Sequence, residues 1–413
     1  MKISIIAIGT ELLIGQVTDT NSGDIARYIA PFGWEVNDVQ VVDDSPAEIR
    51  RAIDRGFETA DVVITTGGLG PTKDDLTKQV LCDYFGGQLV EDPAVLENVK
   101  SIVARRGFQL NDLTAAQAIV PSSCRVIQNR VGTAPLMWFE KDGKVLVAMP
   151  GVPHETRTMW SEAVFPMLRE KFPSDVNIAH ATLIVTDYTE SGLAEYIADF
   201  ESSLPDYLHL AYLPKAGLIR LRLDGHHKDE EFIHAEVGQY AARLSAMLGP
   251  AVLATEDLSP AEILINKARE YGLTVASAES CTGGNIAHRI TEVAGASDVF
   301  RGSVVSYATE VKTTVLGVDA ELIEREGVVS EPVAGMMAAG ALRVLDADIA
   351  VASTGVAGPG GGSEKTPVGT VCMAVARKNR PVETFTFRFP GDRFRVIDAA
   401  TRRALILLIK KLI

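Results

Sequence analysis

The sequence predicts an α/β protein with a sheet-bearing domain at each end and a small α+β segment between them. Three observations carry that expectation. The 413 residues are enough for two or three domains, each able to bury its own core. Short runs rich in Val and Ile alternate with helix-start signals near both ends of the chain. A glycine-rich loop follows the end of one such run at residue 67, the place where open α/β sheets bind their ligands.

In the first third, strands are expected at residues 3–8, 36–42 and 62–66, alternating with helices that begin near Ser22 and at Pro46, an order that reads as a parallel sheet. The helix start at 46 is marked by Ser45 as a capping serine, Pro46 at its first position and Glu48 at its third, and Ser259-Pro260-Ala261-Glu262 repeats the device. Residues 136–139 and 144–149 flank Lys141-Asp142-Gly143, a hairpin signal, and a helix over 153–172 closes the first domain, residues 1–172.

Residues 173–175 read as a short linker into a middle domain, 173–255. Its expected strand at 179–185, helix at 190–200, strand pair over 208–223 and helix over 229–248 have a KH-like outline. That segment has no G-x-x-G, the clamp by which KH modules hold nucleic acid, so a spacer or dimerisation role is expected. The last domain, 256–413, opens with a helix at 259, followed by strands at 274–278 and 304–307 on either side of a helix from 282. A helix over 332–345 and strands at 349–353, 369–376 and 384–389 lead to a long helix from 393.

Hydrophobic residues are 46% of the chain and charged residues 23%, which excludes disordered and fibrous classes. The formal charge of -14 has the wrong sign for gripping phosphate backbones, so no nucleic acid is expected as main partner. No apolar run approaches the ~18 residues of a membrane helix, and residues 1–9 turn polar at Thr10 and Glu11 before any signal-peptide pattern, so the expectation is a cytoplasmic protein without a membrane partner. Cys82, Cys124, Cys281 and Cys372 form no C-x-x-C pair, which argues for reduced thiols rather than disulfides or a thiolate zinc site.

The run Gly67-Gly68-Leu69-Gly70-Pro71-Thr72-Lys73-Asp74-Asp75 places approachable peptide N–H groups next to two carboxylates. Such a loop can hold a phosphate and a cation that bridges to it, or it can be a tight turn with a solvated capping aspartate. It is neither a dinucleotide fingerprint nor a Walker loop. Together GTELLIGQVTDTN (9–21), GGLGPTKDD (67–75) and MPGVPHE (149–155) resemble the N-terminal domain of the CinA family, competence/damage-inducible protein A, which is related to the molybdopterin-binding MoaB and MogA fold. The resemblance covers residues 1 to about 170. It implies hydrolysis of ADP-ribose to AMP and ribose 5-phosphate with a divalent ion (Mg, Mn or Co) and potassium as a further candidate. It places the metal on Asp75 with Asp74 beside it, Glu155 and Asp19 as further ligands, and Gly67, Gly68 and Gly70 on the substrate. Molybdopterin chemistry stays open, because a fold does not fix a function.

In the last domain Ser280 and Cys281 follow a strand and are expected at a helix N-terminus, where unpaired amides can stabilise an oxyanion. The two nucleophiles compete: cysteine is intrinsically stronger but wants a base, and the nearest histidine, His288, lies seven residues along the same helix. Tyr307 and Lys312 are five residues apart, about 140° around a continuous helix, which excludes the Y-x-x-x-K pair of short-chain dehydrogenases at about 40°. The loop 355–362 runs between two strands and suits close backbone contact with a substrate, or plain linkage. Pro390-Gly391-Asp392-Arg393 opens the last helix as a phosphate site or as an ordinary Asp392 cap.

The segment 278–284 with Ser306-Tyr307-Ala308-Thr309-Glu310-Val311-Lys312, Val328-Val329-Ser330-Glu331-Pro332, the run 354–361 and Pro367-Val368-Gly369-Thr370-Val371 resembles the C-terminal domain of the same family, a nicotinamide mononucleotide deamidase needing no cofactor. The resemblance implies Ser280 as nucleophile, Lys312 as its base, Tyr307 as a bridging hydroxyl, and Thr354, Gly355, Gly358 and Arg393 on the substrate. An ordinary lysine is neutral at pH 7 only at a cost of about 4.6 kcal/mol, so a working Lys312 must be desolvated or crowded by positive charge. The implied partners are small nucleotides, nicotinamide mononucleotide and ADP-ribose, acting on a homodimer. Two rival readings remain: a protein in which only the deamidase is active, and a competence or recombination partner without catalysis.

Overall fold

Six strands form the first sheet in the order Glu35–Val42, Lys2–Ile8, Val62–Thr66, Lys144–Met149, Leu136–Lys141 and Arg125–Ile127. The first four are parallel and the last two antiparallel. The computed structural model describes all residues except 73, 174, 175, 216 and 413, so Lys73 of the glycine run and residues 174 and 175 of the expected linker lie outside the described residues.

The central strands are mostly apolar and buried residue after residue because both faces of the sheet are covered. Ile3, Ile5, Val62 and Ile64 point into a core closed by Trp160 and Phe165, while the alternate Ile6, Ile8 and Val63 meet Ile49 and Ile53 of helix Pro46–Thr59. The expected hairpin is present: Lys141 pairs with Lys144, and Asp142 and Gly143 take φ 52° and 79°, as a two-residue turn of that hand requires. Ser45 is a correction. It occupies the cap position before Pro46, yet its side chain makes no capping hydrogen bond. Ser259 caps as expected, with its hydroxyl accepting from the Glu262 amide and the Glu262 carboxylate accepting from the Ser259 amide.

The last sheet runs Phe300–Val305, Val275–Glu279, Ile349–Gly355, Thr370–Arg377, Glu383–Arg388, with three parallel strands followed by two antiparallel. Its faces differ in side-chain size. Ala276, Ala278, Ala350 and Ala352 face helix Glu331–Val344, whereas Val275, Ile349 and Val351 face the helix Arg393–Leu412. Small residues on one face let a helix approach closely, and the larger ones fill the wider gap on the other.

The middle segment contributes a four-stranded sheet ordered Leu208–Lys215, Leu218–His227, Asn177–Val185, Val252–Ala254. The helix expected over 190–200 breaks at Ile197 into Glu190–Tyr196 and Ala198–Ser202. The chain divides into two compact units, residues 1–179 with 226–234, and residues 180–225 with 235–413. Within the second, Ile184, Leu218 and Leu253 share one core with Ile263, Leu264 and Ile406. Among the described residues no helix is long and apolar enough to cross a membrane.

Candidate functional sites

Ser280 follows directly on strand Val275–Glu279, and its amide donates to the Ser353 carbonyl of the neighbouring strand at 2.9 Å. Lys312 comes from the short helix Thr309–Thr314, which starts after Tyr307, so no continuous helix contains both residues. The Lys312 side chain is 1% exposed. Its Nζ lies 3.0 Å from Ser280 Oγ and 2.5 Å from the Ser306 carbonyl oxygen. Burial depresses its pKa, against a weaker opposing pull from Cys281. An ammonium here donates to both oxygens. The neutral amine keeps the bond to the carbonyl and turns its lone pair on the serine proton.

Cys281 is poorly placed to act as a nucleophile. It is buried, and that burial pushes its thiol up to about 12, so it holds its proton at neutral pH. Cys281→Ala is expected to keep its catalytic rate within about a factor of three, and Cys281 to resist alkylation in the native protein. A rate loss as large as that of Ser280→Ala, measured as ammonia release, would overturn this assignment.

The helix expected from residue 282 starts at Asn285, after a turn, with Gly284 as its cap. Ser280 therefore does not sit on a helix N-terminus, and the amides there are taken. The fully buried Glu279 carboxylate accepts from the Gly284 amide at 3.0 Å, the Ile286 amide at 3.0 Å and the Ala287 amide at 2.8 Å, and from Ser303 Oγ at 3.2 Å. Glu279 was legible in the motif only as a neighbour of the nucleophile. Its work is to fix the turn that carries Ser280.

Tyr307 lies just beyond strand Phe300–Val305 and is 62% exposed. Its hydroxyl accepts from Arg393 at 3.0 Å, not from the Ser280 and Lys312 pair, and the second arm of Arg393 donates to the Gly358 carbonyl at 3.0 Å. Asp392 also caps the last helix, accepting from the Arg395 amide at 2.9 Å, so the cap and the free arginine coexist. Thr354 is buried, and its hydroxyl donates to the Val328 carbonyl at 2.8 Å, tying the 327–329 turn to the strand end. Gly355, Gly358 and Arg393 line an open cleft of about 610 Å³. Gly355 is two residues past the Ser353 carbonyl that holds Ser280, so cleft and nucleophile share one strand end. Arg325 and Lys365 also line it, and no sequence motif had marked them.

In the first unit one cleft of about 570 Å³ gathers Asp19, Gly67, Gly68, Gly70, Asp74, Asp75 and Glu155, with Glu11 and Asp44 in addition. Gly67 has φ 104°, and a Cβ there would lie 2.2 Å from the Ile8 carbonyl oxygen, so the strand end admits only glycine. Asp75 closes the loop: its carboxylate accepts from the Gly70 amide at 2.8 Å, the Thr72 amide at 2.9 Å and the Thr72 hydroxyl at 2.5 Å. Asp19 accepts from the Ser22 amide, and Glu155 from Asn129 Nδ2 at 2.7 Å. Two further residues bear on this cleft: Lys78, which carried no sequence signal and reaches the cleft-lining Gln117, and Asn21, which ends the run 9–21. Burial lowers Lys78 to about 8, and it donates to the Gln117 carbonyl. Asn21 is buried at the cleft wall with Nδ2 on the Gly151 carbonyl, while its Oδ1 has no partner among the described residues. No three His, Cys, Asp or Glu side chains among the described residues converge closely enough to hold a metal unaided.

The fold and its two sites define an α/β protein with a molybdopterin-binding-like first domain and a separate serine and lysine pair in its last. Residues 4–170 match the probable molybdopterin binding domain and residues 257–412 the CinA C-terminal domain. A CinA-like protein of Flavobacterium psychrophilum is 39% identical over 415 aligned positions, covering 100% of this chain and 99% of the relative. One from Cytophaga hutchinsonii is 41% identical, covering 92% and 90%. The chain belongs to the CinA family. A solved competence/damage-inducible protein from Agrobacterium tumefaciens is 42% identical, covering 36% of this chain and 92% of its own, with a TM-score of 0.36.

Proposed function

We propose that the last domain hydrolyses a carboxamide, nicotinamide mononucleotide, to nicotinate mononucleotide and ammonia. The observation that carries this reading is a buried lysine amine 3.0 Å from a serine hydroxyl, with burial depressing the lysine's pKa. Lys312 takes the Ser280 proton as Oγ bonds to the amide carbon. The C–N bond then breaks, and the Lys312 ammonium returns the proton to the departing nitrogen as ammonia. Water attacks the acyl-serine and gives a proton to Lys312, which passes it to Ser280 Oγ as the acyl C–O bond breaks, releasing the acid, the free serine and the neutral amine. The cationic pyridinium of the substrate adds positive charge near Lys312, which favours the neutral amine. The test is ammonia release from nicotinamide mononucleotide by the full chain and by Ser280→Ala; equal rates would refute it.

For the first cleft we infer metal-dependent cleavage of ADP-ribose. The carboxylates suit a hard divalent ion that takes one or two protein oxygens and completes its shell from a pyrophosphate and water, which fits the absence of a three-ligand cage among the described residues. Asp74 and Asp75 would hold it, and its chemistry would be to neutralise the pyrophosphate and polarise water. The chain's own residues bind and orient: the glycine loop, with its Gly67 and Gly70 amides held by the Met149 carbonyl and Asp75, lines the place of the phosphates, and Asn21 Oδ1 accepts from a ribose hydroxyl. Asp75→Asn is expected to lower metal-dependent AMP formation by roughly 10- to 100-fold, and undiminished cleavage would remove the assignment. Assays of residues 1–172 and 256–413 with both substrates separate this reading from one with a single active domain.

A further inference from the structure

Arg393 joins two places that the acyl-transfer reading, on which this inference rests, treats separately. One arm of its guanidinium reaches the Gly358 carbonyl in the glycine-loop cleft, and the other holds the Tyr307 hydroxyl, each at 3.0 Å. The cleft is cationic. Arg325 is paired with Glu326, whereas among the described residues neither Lys365 nor Arg393 forms a salt bridge. An anion entering there meets two uncompensated cations at the mouth of a loop of glycines.

The bond from Arg393 to Tyr307 is made to a neutral phenol. A phosphate dianion offers the same guanidinium a bidentate pairing in which both partners are charged, against the single neutral oxygen of the phenol. Phosphate in the cleft therefore takes the donor that Tyr307 is using. What that releases is specific: the Tyr307 ring is largely exposed, and the residue before it, Ser306, supplies the carbonyl on which Lys312 Nζ rests at 2.5 Å. The residue that carries the freed phenol thus follows directly on the one whose carbonyl holds the base.

We propose that Arg393 is a positioning residue that couples phosphate binding to assembly of the reacting groups. As the structure stands, Arg393 holds the Tyr307 hydroxyl, and that hydroxyl makes no bond to the Ser280 and Lys312 pair among the described residues. When the substrate's phosphate recruits Arg393, Tyr307 turns to Lys312, accepts the ammonium proton and passes its own hydroxyl proton to the leaving nitrogen, ending neutral as it began. The phosphate is then an activator of the chemical step as well as a handle. Binding energy from a remote group is spent at the reacting centre, so its loss lowers kcat and not KM alone.

The experiment compares nicotinamide mononucleotide with nicotinamide riboside, which lacks the phosphate, using the full chain with and without phosphite dianion. The riboside is expected to turn over with a kcat lower by about tenfold or more, and phosphite is expected to raise it. Arg393→Ala should raise the KM for the mononucleotide, turn over the riboside faster than the parent does, and show no response to phosphite. Tyr307→Phe should erase the kcat difference between the two substrates. Equal kcat values for the two in the parent, or phosphite activation that survives in Arg393→Ala, overturn the coupling. A parent that releases no ammonia from the mononucleotide overturns the acyl-transfer reading itself.

Discussion

Lys312→Met is expected to lower ammonia release by roughly 10²- to 10⁴-fold, the usual worth of a general base, while leaving the protein about as stable as the parent. The two effects separate because of where the lysine sits. Its amine is withdrawn from water with the Ser306 carbonyl and Ser280 Oγ as its hydrogen-bond partners, so burying its charge carries a desolvation cost. Methionine fills a similar volume without that cost. Against this stands the Ser306 carbonyl, which loses its partner at a cost of about 1–3 kcal/mol, so the net change is near zero. Ser280→Ala is expected to lose at least as much activity, and the double variant no more than the worse single one, because two groups that act as a unit do not add. Steady-state rates and urea unfolding check the two halves independently.

The same burial fixes the sign of two pH dependences. Lys312 works as the neutral amine, so kcat/KM should rise with pH along a limb whose midpoint lies below that of an ordinary lysine. For stability, the unfolded chain binds more protons than the native one between the lowered folded pKa and the ordinary lysine value. Stability contributed by this group therefore rises with pH across that window, and the penalty is fully present below it. Lys312→Met should lose this slope. A parent without it would mean that Lys312 titrates like a solvent-exposed lysine.

Glu279→Ala is expected to cause a large loss of stability, on the order of 3–5 kcal/mol. The carboxylate is fully buried and accepts from three consecutive-turn amides and the Ser303 hydroxyl, with Ser277 Oγ at 3.4 Å. Removing it strands those donors in a site that water does not reach. Glu279→Gln is expected to fall between, since one acceptor oxygen remains while an added N–H₂ faces N–H donors. Because the turn that Glu279 fixes begins at Ser280, kcat should fall with stability in both variants. A thermal unfolding midpoint equal to the parent's in Glu279→Ala would contradict the role assigned to this residue.

Much of this arrangement was legible in the sequence, and what was not has identifiable physical causes. The sheets could be read because their central strands are apolar on both faces and bounded by turn residues, as in residues 62–66 and the Asp142-Gly143 hairpin. The contact between Ser280 and Lys312 was open to inference only through a resemblance, since 32 residues separate them and no local pattern encodes that distance. The helix amides near Ser280 misled: a strand followed by glycines does suggest an oxyanion site, but which acceptor fills it depends on a side chain one residue earlier turning back, as Glu279 does. Ser45 failed as a cap although its letters match those around Ser259, because a cap is a geometry rather than a residue type. Arg325 and Lys365 carry no motif of their own. Their importance arises from the cleft the fold turns them toward.

The most direct measurement is the ammonia and nicotinate mononucleotide formed from nicotinamide mononucleotide by the full-length protein and its Ser280→Ala variant. The expected result is one ammonia per acid formed by the parent, with no added metal, and a fall of at least about a thousandfold in the variant. Equal rates from the two proteins, or no ammonia from the parent, would contradict the claim that Ser280 and Lys312 form a working nucleophile.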